Sequence, residues 1–261
     1  MKIKEVLSAL ERFAPLPLQD SYDNAGMQVG LTDAEVSGAL LCLDVTEAVV
    51  EEARQNGCNL IISHHPLIFR GVKSLTGATY VERCVMQAIR YGIAIFSAHT
   101  NLDNAPQGVS YKMAEKLGMT EVQVLQAEPS PYCENAGAGV IGILPEPLSA
   151  EAFLQRVKET FQVGCVLHNR PEVTQISRVA LCGGAGSFLA SCAEARQADA
   201  FVTGEIKYHD FFGHDRLLMA AIGHYESEQY TLEIFKTIIG AEFPQLHVQC
   251  TSVNTNPINY L

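Results

Sequence analysis

Asn59-Leu60-Ile61-Ile62-Ser63-His64-His65-Pro66 is the stretch from which the fold is read. Leu60 to Ile62 is an apolar run with the length of a buried strand, and Pro66, having no N–H to donate, ends it. Two imidazoles are therefore delivered at the carboxyl end of a strand, where open α/β sheets collect ligands. Neutral imidazole is the commonest nitrogen ligand for transition metals. Side chains alternate along a strand, so neighbouring histidines diverge and serve two nearby ions more easily than one. A surface His-His pair before a turn fits the segment equally well.

Outward from this strand, the chain alternates. Ile3 to Phe13 reads as an amphipathic helix ended by Pro15 and Pro17, and Tyr22 to Gly26 as a polar turn. Gly38 to Leu43 reads as a buried strand, followed by Asp44, a cleft-lining or turn residue. Thr46 caps a helix from Glu47 to Asn56 that Gly57 ends. After the His-His strand come a helix from Thr79 to Tyr91, a strand from Ile93 to Phe96, and a helix from Val109 to Leu117. The class this predicts is α/β, with a largely parallel or mixed sheet and helices packed on it.

The 261 residues are 48% hydrophobic and 18% charged, which predicts a folded chain with real cores rather than a disordered one. No apolar run approaches the ~20 residues of a membrane-spanning helix. The segment after Met1 lacks the apolar core of an export signal, and the eight cysteines contain no C-x-x-C pair. They read as thiols in a reducing cytoplasm. A formal net charge of −11 without a long basic run disfavours wrapping of nucleic acid.

Pro129, Pro131 and Asn135 break the composition, so a domain boundary is placed near residue 128. The expected division is a first lobe of 1–127 plus 224–261 and a second lobe of 128–223. A shift of 140 residues lays Leu41-Cys42 on Leu181-Cys182 and Leu60-Ile61-Ile62 on Ala200-Phe201-Val202. A shift of 125 lays His99 on His224 and Asp103 on Glu228. Two similar α/β lobes are expected, the second with a shorter linker.

His224 and Glu228 are four residues apart at the expected start of a helix, so they share its first turn. A carboxylate can bridge two cations and an imidazole can cap one; a simple capping pattern fits as well. Asp103 lies in a turn-forming Thr-Asn-Leu-Asp-Asn loop. His99 is open to three roles: ligand, orienter of a ligand, or proton carrier. Glu205 and His209 follow another strand end. If parallel strands align these groups, His64, His65, Asp103, His224 and Glu228 approach one rim. Five donors exceed a closed tetrahedral site and suit two open-coordinated ions.

The chain resembles the GTP cyclohydrolase 1 type 2 homologues, the NIF-three-like family. The motifs that carry the resemblance run nearly end to end: Tyr22 to Gly30, Ile61 to Phe69, Ala98 to Asp103, Gly183 to Gly186, Thr203 to Asp210 and Gly223 to Glu228. Tyr22 stands where many members carry Trp, so an aromatic is kept. The resemblance implies two similar α/β lobes with a dinuclear metal site in the cleft between them. The ligands it implies are His64, His65, Asp103, His224 and a bridging Glu228, and the metals are two divalent ions, iron, zinc or manganese. It also implies a ring-shaped homohexamer. A metal-dependent hydrolase is expected, with GTP ring opening as the reaction the family name suggests. His99, Glu205 and His209 would then move protons, and Arg70, Lys73 and Lys207 would meet phosphates. The alternative is a metal-holding or regulatory interaction protein without catalysis.

Overall fold

The expected alternation of strands and helices is present in the computed structural model, which describes residues 1–170, 172–259 and 261. In chain order the elements are α1 (Ile3–Phe13), β1 (Gly26–Val29), β2 (Ala39–Cys42), α2 (Glu47–Gln55), β3 (Leu60–Ser63), α3 (Tyr80–Tyr91), β4 (Ala94–Ser97) and the single turn α4 (Thr100–Asp103). They continue with α5 (Val109–Leu117), β5 (Thr120–Ala127), β6 (Gly137–Ser149), α6 (Ala150–Thr160), β7 (Leu167–His168), β8 (Gln175–Cys182) and α7 (Ala190–Ala195). The last are β9 (Ala200–Thr203), β10 (Leu218–Ala221), α8 (His224–Glu228), α9 (Thr231–Glu242) and β11 (Val248–Cys250). Local chemistry sets the helix ends. Thr46, Thr79 and Ser149 each accept a backbone N–H three residues on, and Gly92 and Gly118 adopt the left-handed conformation that closes α3 and α5.

Two compact units result. The first comprises Met1–Leu102 with Thr231–Asn259, and the second Asp103–Tyr230. The expected boundary at 128 is therefore corrected. Residues 128–136 are the loop of an antiparallel hairpin joining β5 to β6 inside the second unit. Residues 103–127 belong with that unit because Met113, Ala114, Leu117 and Met119 share a core with Val140, Phe153 and Leu181. Residues 224–230 join it as well, so the return to the first unit comes at Thr231. Proline and asparagine mark a chain reversal equally well in a hairpin and in a linker.

The first unit holds a five-stranded sheet in the order β1-β4-β3-β2-β11, in which only β1 is antiparallel to its neighbour. The second holds a six-stranded sheet, β5-β6-β8-β9-β10-β7, whose centre β8-β9-β10 is parallel. Strands β2, β3, β4, β9 and β10 are buried at every residue, as parallel strands covered on both faces must be. Each fully buried Leu, Ile or Phe contributes about 1.5–3 kcal/mol.

The duplication is legible in the ladders. Cys42, Ser63 and Ser97 end the parallel strands of the first unit in register, and Cys182, Thr203 and Ala221 end those of the second. The first two pairs differ by the expected 140 residues. The third, Ser97 to Ala221, differs by 124, not 125. His99 therefore corresponds to Gly223, and the matching of His99 with His224 is displaced by one residue. The shorter spacing arises where α3 of the first unit is replaced by the brief turn Tyr208–Phe211. Helices α5 and α9, which follow the third parallel strands, pack in equivalent places: α5 on α6 and β8, α9 on α1 and β2.

Candidate metal centre

In the first unit, three strand ends place the histidines. Backbone bonds from His64 N to Cys42 O and from His65 N to Leu43 O hold the His-His pair against β2. The His64 side chain is fully buried, and its Nδ1 lies 2.9 Å from Ala98 O. A carbonyl can only accept, so Nδ1 carries the proton and Nε2 the lone pair. His65 Nδ1 lies 2.7 Å from Asp44 Oδ1, and Asp44 in turn accepts from Thr255 Oγ1. His99 Nδ1 lies 2.8 Å from Asp23 Oδ1. Burial pushes the Asp23 carboxyl up, but donation from His99 and Thr100 prevails and holds it down at about 2. All three imidazoles thus present Nε2, and one nitrogen from each lies within 4.8 Å of the others.

In the second unit, glycines occupy the strand ends that carry side chains in the first. Gly183 and Gly184 follow β8, Gly204 follows β9 and Gly223 follows β10. They admit α8. A Cβ at Gly204 would stand 2.7 Å from Ser227 Oγ and 3.0 Å from His224 Cα. A Cβ at Gly184, where φ is +61°, would stand 2.4 Å from Glu228 Oε1. Ser227 Oγ accepts from Gly184 N and donates to His224 O, which pins the helix start. On this short helix His224 Nε2 lies 3.2 Å from Glu228 Oε2, and Glu228 is buried. His224 Nδ1 lies 2.7 Å from Glu205 Oε1. Asp103, the last residue of α4, is the first residue of this unit.

The donor set is chemically apt for divalent iron, zinc or manganese: neutral imidazole nitrogens with carboxylate oxygens. Each ring is oriented by an acceptor at its other nitrogen, as in carboxylate–histidine–metal triads. Of the expected proton carriers, His99 joins the imidazoles of its own unit, and Glu205 orients His224. His209 sits in the turn Tyr208–Phe211 with its ring against Tyr208 and Phe212. Among the described residues, no hydrogen bond joins it to His224 or Glu228. The anchoring role of Asp23 was invisible in the sequence, since it lies 76 residues from His99 and reads locally as a turn residue. Asp44 had a weak signal in its place directly beyond a strand.

These features converge with the comparisons. The family model described as Duf34/NIF3 (NGG1p interacting factor 3) matches residues 1–257. The chain belongs to this family. Among NIF3 relatives, a GTP cyclohydrolase 1 type 2 homolog of Lactococcus lactis is 35% identical over 226 residues, covering 85% of this chain and 84% of its own. One from Campylobacter jejuni is 31% identical across 100% of both chains. A solved Staphylococcus aureus hypothetical protein superposes with a TM-score of 0.92 at 28% identity, covering 100% of this chain and 99% of that one. Among the described residues, no helix is long and apolar enough to cross a membrane.

Proposed function

We propose that His64, His65, Asp103, His224 and Glu228 together hold two divalent metal ions, and that the protein is a metal-dependent hydrolase of a nucleotide or another phosphate-containing substrate. The observation that carries the reading is the orientation of the rings: His64, His65 and His224 each have Nδ1 bonded to an acceptor. Each therefore offers Nε2 to an ion in a predetermined direction. Ions held there supply Lewis acidity toward an electrophilic carbon or phosphorus and its developing negative charge.

Other residues bind and orient. A chain of net charge −11 repels an anionic substrate unless cations stand nearby. Arg70 and Lys73 line a cavity of about 590 Å³ that begins at Pro66, directly after the His-His pair. Lys207 lies with Glu205 along a second cavity of about 340 Å³ in the other unit. Both volumes suit small-molecule ligands. His209, exposed in its turn, remains the candidate to carry a proton. The relatives' names suggest GTP ring opening, for which C8 of guanine is the electrophile. The assembly proposed with this function is a homohexameric ring.

Metal analysis of anaerobically purified protein should return two ions per chain. Hydrolysis of GTP or of a phosphoester panel should stop on chelation and in His65→Ala. Metal-loaded protein that leaves the whole panel unchanged would refute the hydrolase; rapid metal exchange without turnover would favour a metal-holding role instead.

A further inference from the structure

We infer that Tyr22 and Phe69 form an aromatic shelf that stacks on the base of a nucleotide whose phosphate meets Arg70 and Lys73. This rests on the hydrolase reading for the reaction, and it narrows the substrate from phosphate compounds at large to those carrying a planar heteroaromatic ring.

The shelf is exposed but anchored. Tyr22 is 65% and Phe69 44% accessible, and their ring centroids lie 6.3 Å apart at an interplanar angle of 64°. This edge-on arrangement leaves much of both rings to solvent. Single exposed apolar side chains are ordinary, but this pair is held by a dedicated set of hydrogen bonds. Asn24 Nδ2 donates to Ile68 O at 2.7 Å, and Ile68 N donates to Gln28 Oε1 at 3.2 Å. Side chains thus satisfy both backbone groups of the residue before Phe69. Gln28 is fixed in turn, its Nε2 donating to Asn24 O at 2.7 Å and Gly26 O at 3.2 Å. Tyr22 Oη donates to Asp20 Oδ2 at 2.8 Å. Rings held in advance lose less freedom when a ligand stacks on them.

The surroundings supply the rest of a nucleotide site. Phe69 follows the His-His pair closely in sequence, and its ring centroid lies 6.1 Å from that of His99. Phe69 also lines the cavity of about 590 Å³, with Arg70, Val72, Lys73 and Tyr80. Arg70 and Lys73 are exposed, and among the described residues neither forms an ion pair. Glu82 lines the same cavity, but Thr76, Ala78 and Thr79 donate to its carboxylate. Aromatic surface therefore stands beside two cations without carboxylate partners, in a chain of net charge −11. A nucleotide complements both, with a π-face for the rings and a phosphate for the cations. Every base has a π-face, so the shelf selects for the presence of a base and discriminates little between guanine and adenine.

The test uses the full chain and needs no turnover. The sequence contains no tryptophan, so Tyr22→Trp places a single fluorescent reporter in the shelf. GMP and AMP should quench it saturably with similar Kd. Ribose 5-phosphate, which lacks only the base, should leave the fluorescence unchanged and bind at least tenfold more weakly by calorimetry. Adding Phe69→Ala should raise the Kd for GMP roughly tenfold or more, and Phe69→Tyr should restore it. Absence of quenching by GMP would overturn the inference, as would equal affinities for GMP and ribose 5-phosphate. So would a Phe69→Ala variant that melts like the wild type and binds GMP unchanged. Fluorescence that responds to protein concentration and not to GMP would also overturn it, making the shelf a contact between copies of the chain. Quenching without hydrolysis of any nucleotide would refute the hydrolase and leave the shelf standing. Hydrolysis of phosphoesters that lack a base, without quenching by GMP, would do the reverse.

Discussion

Replacing Gly184 by Ala tests how tightly the second unit aims its carboxylate. The φ of +61° at this position costs an L-residue about 1–2 kcal/mol. The new Cβ would stand 2.4 Å from Glu228 Oε1 and 3.4 Å from Glu228 Cδ. Ordinary carbon–oxygen contact is roughly 3.3 Å, so the carboxylate must retreat by about 0.9 Å. It sits at the end of a flexible side chain, and its displacement adds little to the stability cost. Metal sites, however, tolerate deviations of only about 0.2 Å. The expected outcome is a thermal midpoint lowered by a few degrees and a metal affinity lowered at least tenfold. Gly57→Ala provides the control. Its φ of +68° incurs the same backbone cost, and nothing lies within 4 Å of the added Cβ. Calorimetry and metal titration on both variants separate the two effects. Equal metal affinity in Gly184→Ala and Gly57→Ala would refute the reasoning.

Glu228→Ala should lose at least one of two ions by elemental analysis while remaining folded. Glu205→Gln should weaken metal binding roughly 10–100-fold without altering the melting profile, since Glu205 is largely exposed and acts on His224 Nδ1. Glu82 accepts from Thr76 N, Thr76 Oγ1, Ala78 N and Thr79 Oγ1, and the Thr76 bonds foremost hold its carboxyl at about 2 against an ordinary 4.5. A depressed folded pKa stabilises above the unfolded value, so this contribution is complete above pH 4.5 and disappears as pH falls toward 2. Acid unfolding of Glu82→Gln followed by circular dichroism should lack that part of the pH dependence; an unchanged profile would show the loop is held otherwise.

Strand and helix positions were readable locally because burial and capping are written in nearest neighbours. Leu60-Ile61-Ile62, Thr46, Thr79 and Ser149 behave as their sequence context dictates. The edge strands β1, β7 and β11 were not read: they are four residues or fewer, and none is buried throughout. The hairpin of β5 and β6 was divided at its turn. The repeat was visible at 140 residues but misplaced by one residue at its third strand, because sequence similarity aligned two histidines where the ladders align Ser97 with Ala221.

By itself, the amino-acid order determined the α/β class, the duplicated strands and the placing of histidines and carboxylates just beyond their ends, since each depends on hydrophobic period and chain reversal over a few positions. Tertiary structure alone decided which acceptor holds each imidazole: Asp23 for His99, Asp44 for His65, Ala98 for His64 and Glu205 for His224. Those partners are 19 to 76 residues apart. Only the packing of one strand end beside another brings them within a hydrogen bond.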